Sequence, residues 1–184
     1  ETDGAIKLQK RTLQEVRADL GKDHPYVLAF QKSLAHTFMD LGLAEQAEQL
    51  LRRTLVTERA NGTEQLQVSA TEAALGSALR LKGDLDEAIV LLSESGKMMH
   101  ETLGGCHPQA LHCTGNLGLA YAAKGQKQKA IEAHKQITCQ LHQVSAKQRA
   151  GVYSEGAKLE QQLQDKLPNI KVRLWRFCAN CAFC

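Results

Sequence analysis

Cys178, Cys181 and Cys184 are the residues of this chain whose type and spacing could do chemistry. A Cys-x-x-Cys step lets two thiolates reach one tetrahedral zinc ion. The third thiol follows two residues later, and a closed site takes at least one ligand more. Iron–sulfur sites use a similar run of cysteines, but the fourth Cys and the Pro after it do not follow here. Free thiols on a tail are the plain alternative. Zinc is thus the candidate cofactor at Cys178, Cys181 and Cys184, with the other two readings left open. The remaining cysteines, Cys106, Cys113 and Cys139, show no pairing pattern. Secreted disulfide scaffolds are shorter and denser in Cys, so a reducing compartment, the cytoplasm, is expected.

Other reactive types are dispersed. His36, His112, His134 and His142 form no metal-ligand motif, while His24 and His107 each precede a proline and fit a structural role in a turn. No nucleophile–base arrangement, Gly-rich phosphate loop or carboxylate pair stands out, so catalysis is not expected. The net charge of +3 is uneven: residues 166–184 hold Lys166, Lys171, Arg173 and Arg176 and no acid, and the rest is nearly balanced. A short basic tail is a weak phosphate signal, and nucleic acid is not an expected partner. No run of about 18 apolar residues occurs, so no membrane span is expected.

The elements that must carry these residues repeat. Leu20-Gly21-Lys22-Asp23-His24-Pro25 returns as Leu103-Gly104-Gly105-Cys106-His107-Pro108, 83 positions on, with Asn61-Gly62 between them. Gly42, Gly83 and Gly125 keep a step of 41 and then 42, as do Ala47, Ala88 and Ala130, and Leu34, Leu75 and Leu117. A period of this length means stacked supersecondary units that bury their apolar faces on one another.

Within each unit the apolar spacing is helical. The first unit predicts helix A over about 25–41, with Leu28, Leu34, Ala35, Phe38 and Leu41 inward, and helix B over about 44–60, with Ala47, Leu50, Leu51 and Leu55 inward. The second predicts 64–82 and 85–102, where Asp84 and Glu87 have capping-box spacing. Gly96 inside that helix costs about 1 kcal/mol relative to Ala, or permits a close helix contact. The third predicts 107–124 and 126–143. Residues 5–19, with Ile6, Leu8, Leu13, Val16 and Leu20 on the helical period, read as a second helix whose first half is missing, because Lys10-Arg11-Thr12-Leu13 is echoed by Arg52-Arg53-Thr54-Leu55. The chain therefore reads as a segment of a longer protein. The expected divisions are 1–19, a truncated repeat; 20–60, 61–102 and 103–143, three full repeats; 144–167, a polar capping helix ended by Pro168; and 168–184, a basic Cys-rich tail. In that tail Ile170, Val172 and Leu174 alternate with basic residues as in a short strand or a linker, beside Trp175 and Phe177.

Leu34-Ala35, Phe38, Gly42 and Ala47 follow the pattern of tetratricopeptide helices, as do Leu75-Gly76, Leu79, Gly83 and Ala88, and Leu117-Gly118, Tyr121, Gly125 and Ala130. The 41–42-residue step and the Leu-Gly-x-x-His-Pro linker resemble the repeats of kinesin light chains and nephrocystin-type proteins. The resemblance implies an all-α, right-handed α-solenoid of antiparallel helix pairs with a C-terminal cap, serving as an adaptor that binds peptide segments of partner proteins in a concave groove. It places Lys32, His36 and Asp40 of the first repeat in that groove, Ala73, Ser77 and Arg80 of the second, and His112, Asn116 and Leu119 of the third. Light chains carry an Asn pair before the Leu-Ala step; here only Asn116 remains, with Ser33 and Ala74 elsewhere. The Cys178–Cys181 pair resembles the opening of a MYND-type or other treble-clef zinc finger. That allows a second expectation, a recruiting arm for a zinc-binding or catalytic domain. Neither the partner nor the oligomeric state is legible in the residues.

Overall fold

The structure, a computed structural model, describes residues 2–143. The tail cysteines Cys178, Cys181 and Cys184, the expected capping helix 144–167 and the expected strand near Ile170 lie outside the described residues. Seven helices are described, and no strand occurs among those residues: α1 Thr2–Leu20, α2 Pro25–Asp40, α3 Ala44–Ala60, α4 Gln65–Lys82, α5 Leu85–Leu103, α6 Pro108–Ala123 and α7 Lys127–Gln143. Each packs on its chain neighbours, with the α4–α5 pair in the most extensive contact.

The turns explain the regularity. At four helix ends an N–H two or three residues past the helix reaches back to a carbonyl in its last turn: Leu43 to Phe38 (2.8 Å), Thr63 to Glu58 (3.0 Å), Asp84 to Leu79 (2.9 Å) and Gln126 to Tyr121 (2.9 Å). This closure needs a left-handed residue before the donor, and the glycine there supplies it, as Gly83 does at φ +107°. The two His-Pro linkers share another device. His24 and His107 are N-caps with nearly the same backbone (φ −67°, ψ 138° and φ −69°, ψ 136°), each followed by Pro at the first helical position. Nδ1 of His24 accepts from the Tyr26 N–H (3.2 Å), and Nδ1 of His107 from the Gln109 N–H (3.3 Å). The imidazoles do the work usually done by Ser or Asp, satisfying a donor the helix leaves open.

The core runs along the stack. One cluster joins Leu34, Phe38, Leu51 and Leu55 of α2 and α3 to Val68, Leu75 and Leu79 of α4, and the next joins Leu92 and Met99 of α5 to Ala110, Cys113 and Ala120 of α6. Small residues set the spacing: a Cβ on Gly76 would stand 2.7 Å from Leu92 Cγ, and one on Gly96 would stand 3.3 Å from Cys113 Sγ. Gly96 therefore serves the close α5–α6 contact.

Several expectations change. Leu8, Leu20 and Leu41 are exposed (66%, 45% and 36%); Leu20 is the last residue of α1 and Leu41 the C-cap of α2. The Asp84 side chain makes no cap bond. Its carboxylate takes Lys82 (2.8 Å), and Glu87 takes Arg52 of the preceding repeat (2.7 Å). Lys82 also reaches Glu48, and Lys124 pairs with Asp86. Ion pairs, one within the repeat and one between repeats, thus hold the acids that a capping box would have used.

Candidate functional site

The site begins with which helices touch. Across repeats α2 meets α4 and α4 meets α6, while α3 with α5 and α5 with α7 share marginal contact at most. The first helices of the repeats are therefore drawn together on the inner side of the curve and the second helices splay on the outer side. α4 permits this because Ala70, Ala73, Ala74 and Ser77 fall on one helical face, where side chains three and four apart align. That face is low, and a groove opens above it.

The groove has a volume of about 390 Å³. Its floor is Ala70, Ala73 and Ala74, with Met99 reaching in from α5; Ala73, Ala74 and Met99 are buried. Lys32 and His36 of α2 form one wall, and Pro108, Gln109 and His112 of α6 the other. Gln67 stands exposed on α4 at the rim.

Of the nine residues expected in a groove, the structure brings Lys32, His36, Ala73 and His112 together here. The other five lie off this lining. Asp40 is exposed near the end of α2. Ser77 is buried, and its hydroxyl donates to the Ala73 carbonyl (2.9 Å). Asn116 is 4% exposed and donates to the His112 carbonyl (3.1 Å), so its amide is turned into its own helix. Leu119 is buried and packs on Ala122. Arg80 is half-buried two turns along from Ala73, with no acid paired to it among the described residues. Gln67, Ala70, Ala74, Met99, Pro108 and Gln109 were missed. Stepping by 42 back from the third repeat would have found two of them, as it maps His112 onto Ala70 and Asn116 onto Ala74.

The charges in the groove are largely spent. Lys32 Nζ lies 3.0 Å from Glu58 Oε1, and the Glu58 side chain is 2% exposed. A buried carboxylate needs that partner, so the ammonium is committed. Desolvation lowers the pKa of His36, with Asp40 one turn away pulling it back up. Burial likewise pulls the Arg80 guanidinium below its usual range. No three His, Cys, Asp or Glu side chains converge on a metal position among the described residues. Nor is any described helix long and apolar enough to cross a membrane.

Residues 67–138 match the family model of the tetratricopeptide repeat. Over that span the stack is similar to tetratricopeptide repeats. Solved structures place the whole described stack in the same fold. A single-site variant of the nearly identical TPR-like repeats of a Podosopora anserina protein, titled a kinesin light chain, is 27% identical with a TM-score of 0.62. That match covers 76% of this chain and 66% of the other, so this chain spans about two thirds of that structure. A second crystal structure of those repeats is 23% identical, with a TM-score of 0.66 over 93% of this chain and 89% of the other. BtubC (BKLC) from P. vanneervenii is 15% identical, with a TM-score of 0.63 over 94% of this chain and 76% of the other. The latter two likenesses show the fold alone. No curated protein matches the sequence.

Proposed function

We propose that these repeats act as a non-catalytic adaptor that captures a peptide segment of a partner protein in the groove between α2, α4 and α6. The observation that carries this is the direct contact of the first helices across repeats, which leaves an apolar floor walled by Lys32, His36, Pro108, Gln109 and His112. The solved kinesin light chain repeats of the same fold support a scaffold role for this array. A concave, mostly apolar hollow with a few polar groups at its edge suits a side chain anchored from an extended chain. Cys113, a free and buried thiol bonded to the Leu92 carbonyl (3.2 Å), fits a reducing, cytoplasmic setting.

The test is a peptide enriched from a random displayed library on the 184-residue chain. His36→Ala together with His112→Ala should weaken its binding about tenfold, near 1.4 kcal/mol, with helical circular dichroism unchanged. Equal binding to the double variant, or no enriched peptide, overturns the groove. The second reading, a recruiting arm for a zinc-binding domain, rests on the spacing of Cys178, Cys181 and Cys184. Zinc bound stoichiometrically to the chain and lost on Cys181→Ser would support it.

A further inference from the structure

Asn116, one of the residues expected in the groove, is 4% exposed and donates to the His112 carbonyl of its own helix. Two other amides stand in the open. Gln67 and Gln109 both line the groove and both are exposed. They lie 42 positions apart, the same step that relates Leu75 to Leu117 and Gly83 to Gly125, so they occupy one position in successive repeats. The hydrogen bonds at these residues use their main-chain groups, the Gln67 carbonyl to Thr71 and the Gln109 N–H to His107. Both side-chain amides are therefore left to a ligand among the described residues.

We infer that Gln67 and Gln109 are a backbone-reading pair, each exchanging hydrogen bonds with the main chain of an extended, uncharged stretch of the partner, three residues apart. This rests on the peptide-capture reading and adds which atoms do the holding. A glutamine amide carries both a donor and an acceptor, which is what a peptide unit presents in return. The spacing follows from the helices. α4 and α6 approach within 8 Å between Cα atoms, so they are packed neighbours with axes about 8–10 Å apart. Three residues of a polyproline-II chain span about 9.3 Å and bring the same face round again. Two residues of a β-strand span only about 6.7 Å. The charge in the groove agrees, because Lys32 is committed to buried Glu58 and no carboxylate lines the walls. In the first repeat the same position holds Tyr26, exposed and stacked on His24, so the amide pair is confined to the second and third repeats.

The experiment uses the library-selected peptide and its versions N-methylated at one backbone nitrogen at a time, titrated against the wild-type chain, Gln67→Ala, Gln109→Ala and the double variant. The expected result is two sensitive nitrogens three residues apart, each costing about tenfold in affinity. Each loss should vanish in the matching glutamine variant, as a direct contact requires in a double-mutant cycle. A Gln67→Ala/Gln109→Ala chain that binds the unmodified peptide as tightly as wild type overturns the pair while leaving peptide capture standing. Sensitive nitrogens two residues apart overturn the spacing. A peptide that binds the His36→Ala/His112→Ala chain undiminished removes the groove itself.

Discussion

Lys32 shows how a groove residue can be structural and functional at once. Its ammonium is the hydrogen-bond partner of Glu58 Oε1, while Glu58 Oε2 is buried without one. Taking Lys32 away leaves a buried carboxylate alone, which typically costs about 3–5 kcal/mol, and less here because Lys32 is partly wet. Lys32→Met should therefore lower the urea midpoint clearly, and adding Glu58→Leu should recover most of the loss. A Lys32→Met chain as stable as wild type would mean that Glu58 needs no partner. His36 makes a separate prediction about pH. His36 is exposed at the groove wall, but the neighbouring helices partly desolvate its ring, which sets its folded pKa below the ordinary value near 6.5, and Asp40 opposes that. The unfolded chain then takes up the proton first, so stability from this group is present above the unfolded pKa and is lost as pH falls below it. Removing the opposing charge with Asp40→Asn should push the His36 pKa further down, read from its imidazole proton shifts by NMR. A rise would show that the Asp40 charge does not hold the imidazole pKa up.

At the scale of elements, the glycines sort by what surrounds them. Gly76 has no room for a methyl group, since Leu92 would be 2.7 Å from it, and Leu92 is fully buried. Gly4 on α1 has nothing within 4 Å of such a group. Gly76→Ala should destabilise by about 1–3 kcal/mol through forced repacking. Gly4→Ala should be neutral or stabilise slightly, because Ala costs less chain entropy in a helix. Thermal melts of the two variants should move in opposite directions, or Gly76 alone should fall. The helix pattern was legible because each closing glycine and each buried Leu-small pair recurs at one step, and that step survives substitution elsewhere. What was less legible is instructive. Asp84 has the residue type of a cap, but Lys82 ties its carboxylate to Glu48 (2.8 and 2.9 Å), and such partners cannot be read from local sequence. Pairing Asp40 with Arg80 uses a step of 40, although the repeat maps Asp40 onto Leu81. Met99 was invisible as a groove residue because it comes from the second helix of its repeat, where it packs with Ala73 of α4.

Across the whole stack, stability is a sum of neighbour contacts, since each helix meets only those beside it or the matching helix of the next repeat. α4 and α5 sit between neighbours on both sides and share the largest interface, whereas α1 packs chiefly on α2. Amide exchange should follow that order, slowest in α4 and α5 and fastest in α1, because local opening breaks fewest contacts there. A peptide in the groove would touch α2, α4 and α6 at once, and binding to the folded state alone adds stability as RT ln(1 + [L]/Kd). At a hundredfold excess over Kd that is about 2.7 kcal/mol, which should appear as slower exchange in those three helices together. Protection confined to one helix, or appearing first in α3 and α5 on the outer side of the curve, would place the peptide somewhere other than the groove. Such a pattern would also separate the curvature that brings the first helices into contact from the surface that the partner uses, two properties that the contact of α2, α4 and α6 otherwise joins.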